Sequence, residues 1–271
     1  MLTEVNPAEI DAYRGLFRGP HLELVLDAAA AGNSPARLWA GGADLALLWD
    51  QANSVFYLAG APDSALRGDL AALLGGPVRR EALERRRPSF KVRALDPAQD
   101  AALPELFAGA ALRELDTLFF ADTAEPGAAP PEAPDVDGVR FAPIDRGLLE
   151  REGLANSDTV RHEIGMMWSS LERFYAHGLG CAAVAERQIV GWCTAEYVGR
   201  TRCGIGIETA EAYQRRGIGT AAAARFVRAA RGRGLVSCWE CRANNTPSRR
   251  VAEKLGLTLI AEERYYAGAF E

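Results

Sequence analysis

Residues 121–138 constrain this chain more than any other stretch. They read Ala-Asp-Thr-Ala-Glu-Pro-Gly-Ala-Ala-Pro-Pro-Glu-Ala-Pro-Asp-Val-Asp-Gly, rich in proline, alanine and acid and without apolar periodicity. That composition reads as a semi-stiff linker rather than as part of a helix or strand. It separates residues 1–120 from residues 139–271, and each side falls within the roughly 100–200 residues of an ordinary domain.

The two sides differ in charge. Residues 1–138 carry 12 Lys+Arg against 21 Asp+Glu, a net of −9, whereas residues 139–271 carry 19 against 15, a net of +4, giving the chain's −5. The basic side suits an anionic small ligand, and the acidic side argues against a nucleic-acid-binding protein. With 48% hydrophobic and 25% charged residues, both sides can bury a core. No apolar run approaches the roughly 20 residues of a membrane helix. The first residues, Met1-Leu-Thr-Glu-Val-Asn-Pro, lack the basic start and apolar stretch of a signal peptide. A cytoplasmic protein with no membrane partner is expected, its five cysteines (181, 193, 203, 238, 241) reduced.

In the N-terminal side, apolar runs at 36–39, 45–49 and 55–58 are separated by short polar turns and predict an antiparallel meander. A capped amphipathic helix follows at 63–74, stopped by Gly75-Gly76-Pro77. Helices are expected at 100–108 and 112–120, with a strand at 90–95 as an alternative. After the linker the order is strand 139–143, helix 157–177, strands 182–185, 189–197 and 203–209, a long alanine-rich helix 219–231, strand 235–241, helix 247–255 and strand 257–266. Strands alternating with helices around a mixed sheet define an α/β (α+β) three-layer domain over 139–271. A smaller α+β domain over 1–120 precedes it.

The strongest chemical signal is Gln214-Arg-Arg-Gly-Ile-Gly-Thr220 between a strand and the long helix. Gly217 and Gly219 allow positive φ and close backbone approach, and the helix start offers unsatisfied N–H groups suited to a pyrophosphate. An isolated Gly-x-Gly is more often a steric turn than a ligand site. There is no Walker lysine, and the third glycine of a dinucleotide fingerprint is missing. A second element changes the balance: Asn245-Thr-Pro-Ser-Arg-Arg-Val-Ala-Glu-Lys-Leu-Gly-Leu257, where an Asn at a strand end opens a short helix.

Together with the strand Gly204-Ile-Gly-Ile-Glu-Thr209, these two motifs resemble the GNAT superfamily of acyl-CoA N-acyltransferases. The match covers about 203–257, and a weaker strand-helix pattern extends it to 139. Within the superfamily, Ile-Gly-Ile-Glu-Thr, Tyr-Gln-Arg-Arg-Gly, Trp-Glu-Cys and Val-Ala-Glu-Lys-Leu-Gly look most like a bacterial branch related to zwittermicin A resistance acetyltransferases. The resemblance implies acetyl-CoA as acyl donor, no metal, and a small-molecule primary amine as acceptor, acetylated by direct attack in a ternary complex. It implies that backbone groups of Ile207 and Thr209 pair with the pantetheine arm. The amides of Arg215, Arg216, Gly217, Ile218, Gly219 and Thr220, after Gln214, would cradle the pyrophosphate. Asn245 would bond the pantetheine, with Ser248 beside it.

Amine attack on a thioester needs a proton acceptor, an oxyanion donor and a proton for the thiolate. Glu208 lies on the cofactor-lining strand, on the face opposite Ile205 and Ile207 by period-two alternation. Among apolar strand residues its pKa would rise, as suits a base acting through water. A structural carboxylate is the competing reading, and Glu240 on the adjacent strand is a weaker candidate.

Two features depart from the family pattern. The usual thiolate-protonating Tyr is replaced by Ala252, leaving Tyr213, Tyr265 or Tyr266 as substitutes, or no dedicated donor. Few residues follow the last strand, so a closing strand would come from the N-terminal half, from a partner in a homodimer, or be absent. The N-terminal half itself resembles a degenerate copy of the same fold.

Cys238-Trp-Glu-Cys241 within a strand places its thiols on opposite faces and suits core packing better than zinc. The mixed-charge run 79–87 suits a solvated helix better than nucleic acid. Two further functions compete with small-molecule acetylation: a CoA-binding or sensor protein with weak catalysis, and a protein or peptide N-acetyltransferase.

Overall fold

Three apolar runs in the first sixty residues do form a meander. In the computed structural model, which describes residues 1–125 and 127–271 and the side chains of all of these but Ala8 and Pro20, the strands are β1 Thr3–Val5, β2 Ala36–Ala40, β3 Ala46–Asp50, β4 Val55–Ala59 and β5 Ser89–Ala94. Later strands are β6 Arg113–Ala121, β7 Arg140–Pro143, β8 Gly180–Ala185, β9 Gln188–Val198, β10 Arg202–Thr209, β11 Val236–Arg242 and β12 Thr258–Ala269. The helices are α1 Pro20–Ala30, α2 Ser64–Leu73, α3 Arg79–Glu84, α4 Leu103–Leu106, α5 Arg146–Leu149, α6 Ser157–Met167, α7 Leu171–His177, α8 Ile218–Gly232 and α9 Thr246–Lys254. Pro126, in the expected linker, lies outside the described residues.

The chain forms two compact units, Met1–Asp116 with Glu263–Glu271, and Thr117–Glu262. The sequence placed the division at 120, with a linker over 121–138 and a second domain over 139–271. In the structure residues 117–138 group with the second unit and the last nine residues with the first.

In the first unit the strand order is β1-β2-β3-β4-β5-β12. β1 to β4 are antiparallel neighbours, β4 and β5 run parallel, and the end of β12 closes the sheet antiparallel to β5. Its core is aromatic: Phe56, Phe90, Phe107 and Phe270 meet with ring centroids 4.6–6.4 Å apart. Edge and offset ring pairs of this kind add to area burial.

In the second unit the order is β7-β8-β9-β10-β11-β6. The pairings repeat those of the first: antiparallel through β10, β10 parallel to β11, and β6 antiparallel to β11. The first unit is therefore a second copy of the same mixed-sheet topology, as the sequence suggested. The strand closing the C-terminal copy comes from ahead of residue 121, through pairs from Cys238↔Ala121 to Arg242↔Thr117. The strand closing the N-terminal copy comes from the chain's end, Tyr266↔Val92 to Ala269↔Ser89.

The expected helix at 112–120 is thus strand β6. Leu118, Phe119, Phe120 and Ala121 are all buried, and a short run buried on both faces cannot be told from a helix by periodicity. The expected helix 157–177 breaks in two. Trp168 turns extended (φ −108, ψ 150), and the Ser170 side chain accepts from Arg173 N at 3.1 Å to cap α7. A serine cap of this kind satisfies an amide that a continuous helix would leave to its own turn.

The core of the second unit gathers around β8–β11. Helix α8 presents Ala221, Ala222, Ala224, Phe226, Val227 and Ala230 to it, all at most 1% exposed. Alanine over most of that face lets the helix axis lie close to the sheet while retaining high helix propensity.

Candidate active site

In the second unit β10 and β11 begin as partners and then part. Their parallel ladder runs from Arg202↔Val236 to Ile205↔Trp239. Beyond it β10 continues to Thr209, and β11 to Arg242. Over its far end, among the described residues, β10 pairs only with β9, from Gly206↔Thr194 to Thr209↔Gly191. Because Ala210 N donates to Val190 O, residues two and four positions back also turn their backbone groups toward β9. Ile207 and Thr209 then turn theirs to the opposite edge, where no strand among the described residues takes them. Gln214 Nε2 reaches the Thr209 carbonyl at 3.1 Å.

The side chains of Ile207 and Thr209 point toward α8. A Cβ on Gly219 would lie 3.3 Å from both Ile207 Cδ1 and Thr209 Oγ1, so a larger residue would force the helix start off the strand. Gly217 is the N-cap of α8 at φ +81, with no side chain capping the helix, and Arg215 is also left-handed at φ +61. The amides of Ile218, Gly219 and Thr220 thus begin a fifteen-residue helix with no side-chain acceptor from its N-cap, an arrangement that favours an anion. Arg216 lies over the Tyr213 ring at 5.2 Å, which fixes one of the two arginines beside the turn.

On the opposite side of the slot, Asn245 caps α9 by accepting from Ser248 N at 3.2 Å. Ser248 Oγ accepts from the indole of Trp239 at 3.0 Å. Both residues expected to line the pantetheine therefore have structural roles in joining α9 to β11.

The other face of the sheet is acidic. β9 carries one extra residue at its bulge, since Tyr197 opposes Gly204 and Ala195 opposes Ile205; that residue is Glu196. The indole of Trp168 bonds the Ala195 carbonyl at 2.7 Å and holds the bulge in place. Glu196 lies across Gly206, where a Cβ would meet its Oε1 at 2.7 Å. Glu208 opposes Trp192 in the ladder and shares its face, and Trp192 Nε1 donates to Glu163 Oε2 on α6 at 2.6 Å. Glu240 follows Trp239, which shares the face of Ile205, so alternation puts Glu240 on the side of Gly206 and Glu208.

Glu208 is exposed, not enclosed by apolar strand residues as expected, because its alternating position faces the open side of the sheet. Among the described residues no hydrogen bond or ion pair ends on its carboxylate. Glu163 is half-buried, and its carboxyl is raised above the ordinary glutamate value. Burial is the main cause, the charge of Glu208 adds to it, and the Trp192 hydrogen bond and His162 oppose it. Sequence reading missed Glu163 because it adjoins, without belonging to, the apolar stripe of its helix. No local motif marks it.

Ala252, where the resemblance expects a tyrosine, is fully buried. Tyr265 and Tyr266 belong to the first unit. Tyr265 stacks edge-on against Tyr57 and is 1% exposed, and Tyr266 bonds Asp100 at 3.1 Å, so both have packing roles. All five cysteines are free. Burial raises the thiols of Cys181 and Cys203 to about 11 and about 12 respectively.

The N-terminal copy lacks these openings. Its parallel strands stay paired from Val55↔Lys91 to Leu58↔Ala94, and Leu95 N adds a bond to Leu58 O at 2.8 Å. The helix after β4 is capped by the carboxylate of Asp63, which accepts from Leu66 N at 2.8 Å. A fixed anion stands where the other copy has a bare helix start.

Residues 136–266 match the family model for GNAT acetyltransferases. Over 132 residues the chain is 32% identical to the uncharacterized N-acetyltransferase YdfB of Bacillus subtilis (strain 168), covering 48% of this chain and 49% of that protein. The match thus spans about half the length of that relative. Among solved structures, a GCN5-related N-acetyltransferase-like protein from Streptococcus suis 89/1591 superposes with a TM-score of 0.67 at 19% identity, over 96% of this chain and 98% of that one. A tandem GNAT protein from the clavulanic acid biosynthesis pathway gives 0.56 at 14% identity, over 100% and 99%. At these identities the likeness is one of fold. Among the described residues, no helix is long and apolar enough to cross a membrane.

Proposed function

We propose that the chain is an acetyl-CoA-dependent N-acetyltransferase that moves an acetyl group to a primary amine of a small molecule in a ternary complex. The observation that carries this reading is the parting of β10 and β11 after Ile205 and Trp239. It leaves the Ile207 backbone and the Thr209 amide open to an amide-bearing pantetheine arm, in line with the bare N-terminus of α8, while the Thr209 carbonyl is held by Gln214. The residues fit the group. Arg215 to Thr220 would hold the pyrophosphate, with Gln214 bracing the turn against Thr209, and the free amide nitrogen of Asn245 would face the arm beside Ser248. Bound acetyl-CoA supplies an activated acyl group, and no metal takes part. Glu208, on the opposite face of the same strand, receives the amine.

A small-molecule acceptor is supported by the narrower likeness of the 204–257 motifs to zwittermicin A resistance-type acetyltransferases, and we assign the reaction to the cytoplasm. A second reading, a CoA-binding sensor with little turnover, is favoured by the burial of Ala252 where a thiolate-protonating tyrosine is expected. A panel of primary amines assayed with acetyl-CoA and a free-thiol readout separates them. Thiol release that depends on one class of amine supports the enzyme; thermal stabilisation by CoA with no thiol release supports the sensor.

A further inference from the structure

Glu163 lies outside every motif that identifies the cofactor slot, yet it is tied to the acceptor face more firmly than Glu208. Its carboxylate is held by a buried indole, Trp192 Nε1 to Oε2 at 2.6 Å. Trp192 is the cross-strand partner of Glu208, so the two carboxylates stand on one face, one from a helix and one from the slot-lining strand. They differ in environment: Glu163 is half-buried with a fixed donor, whereas Glu208 is exposed without a protein partner among the described residues. Two acids placed close together but solvated differently are suited to different tasks.

We propose that Glu163 is the proton acceptor of the acetyl transfer and Glu208 the anionic anchor that binds the incoming ammonium group. This rests on the acetyltransferase reading above. An amine reaches the site as R–NH3⁺ and must lose a proton before it can attack. One N–H bond breaks, its electron pair stays on nitrogen, and the proton forms an O–H bond on the free oxygen of Glu163. The amine then displaces the thiolate from the acyl carbon: a C–N bond forms and the C–S bond breaks. The nitrogen's second proton passes to the sulfur. Overall, R–NH3⁺ and the acetyl thioester give the acetamide, the free thiol and one proton, which Glu163 releases to solvent. The titratable groups acting on Glu163 are Glu208 on β10 and His162 beside it on α6. Its carboxyl, raised mainly by burial and further by Glu208, is nearer the operating pH than an ordinary glutamate and so better matched to general-base work.

The test uses the full chain, with an amine identified from the panel, and the variants E163Q and E208Q. In E163Q the new side-chain amide keeps an oxygen to accept from Trp192, so that variant retains the structural bond. The expected result for E163Q is a kcat lower by about 100-fold or more and loss of the acid limb of the kcat/KM profile. For E208Q the loss falls mainly on KM for the amine, by about 10-fold, as expected for removal of one charge-assisted contact. A second arm needs no turnover. In carboxyl-¹³C NMR the Glu163 resonance titrates above free glutamate in the wild type, and its midpoint moves down in E208Q. An E163Q enzyme with kcat within about threefold of wild type and an intact acid limb overturns the assignment, as does a Glu163 midpoint unmoved by E208Q. A protein that binds CoA but acetylates no amine contradicts the acetyltransferase reading instead, and the NMR arm still decides whether the two carboxylates interact.

Discussion

Trp192 and Glu163 are joined by a 2.6 Å hydrogen bond from indole to carboxylate, which fixes a helix acid against the strand face that carries Glu208. The bond opposes, without cancelling, the upward shift that burial imposes on Glu163. A carboxyl raised in the folded state contributes stability that is present below its unfolded value and is lost as pH rises through its folded one. The stability of E163Q relative to wild type should therefore increase as pH rises from about 4.5, the unshifted value. Thermal melts of both proteins between pH 4 and pH 8 check the sign; a constant or falling difference contradicts it.

Asp122 and Arg231 form a two-pronged pair at 2.6 and 2.8 Å, with the Asp122 side chain only 5% exposed. Arg231 also reaches the Ala129 carbonyl at 2.8 Å, so it holds both the end of β6 and the segment after it against α8. Asp122→Asn should cost about 2–3 kcal/mol by leaving a partly buried guanidinium without its counter-charge. The Arg231 hydrogen bond is the largest influence holding the Asp122 carboxyl below its usual value. That stability is therefore present above the unfolded value and lost as pH falls through the folded one. Urea melts of wild type and Asp122→Asn should differ at pH 7 and converge in strong acid.

Gly217 caps α8, and a Cβ added there would meet nothing within 4 Å, so a carboxylate at this position would fit sterically and copy what Asp63 does for α2. Gly217→Asp should weaken CoA binding by at least about tenfold, by placing a negative charge at the helix start proposed to hold the pyrophosphate. The left-handed φ of +81 adds a backbone cost of about 1 kcal/mol. Thermal shift with and without CoA separates the two effects.

The thiols of Cys181, Cys193, Cys203, Cys238 and Cys241 are all raised by burial. At pH 8 the native protein should react slowly with a thiol reagent and release its full complement only in denaturant. Fast labelling of Cys238 and Cys241 in the native state would show that the C-x-x-C is accessible.

What the sequence made legible was the part of the fold that ligand geometry writes into local residues. Gly217, Gly219 and Asn245 mark helix starts, and a helix start is a short-range feature with a fixed chemistry. The proposed acceptor face was only half legible. Glu208 could be placed by alternation along a single strand, but its exposure depends on which face the helices cover. Glu163 is brought to it by the packing of α6 on β9, which no spacing in the chain encodes. The strand closing the C-terminal copy was half legible in the same way: the N-terminal half was one of its expected sources, but Leu118 to Ala121 belong beside β11, more than a hundred residues later, and their apolar run is equally compatible with a buried helix.

The slot between β10 and β11 should take acetyl-CoA while its counterpart in the N-terminal copy should not, because β4 and β5 end where their ladder ends and Asp63 caps the helix that follows. Calorimetric titration of the full chain with CoA tests it most directly. One site per chain, weakened by at least about tenfold in Gly217→Asp, is the result predicted. No binding at millimolar CoA, or two equivalent sites per chain, would contradict it.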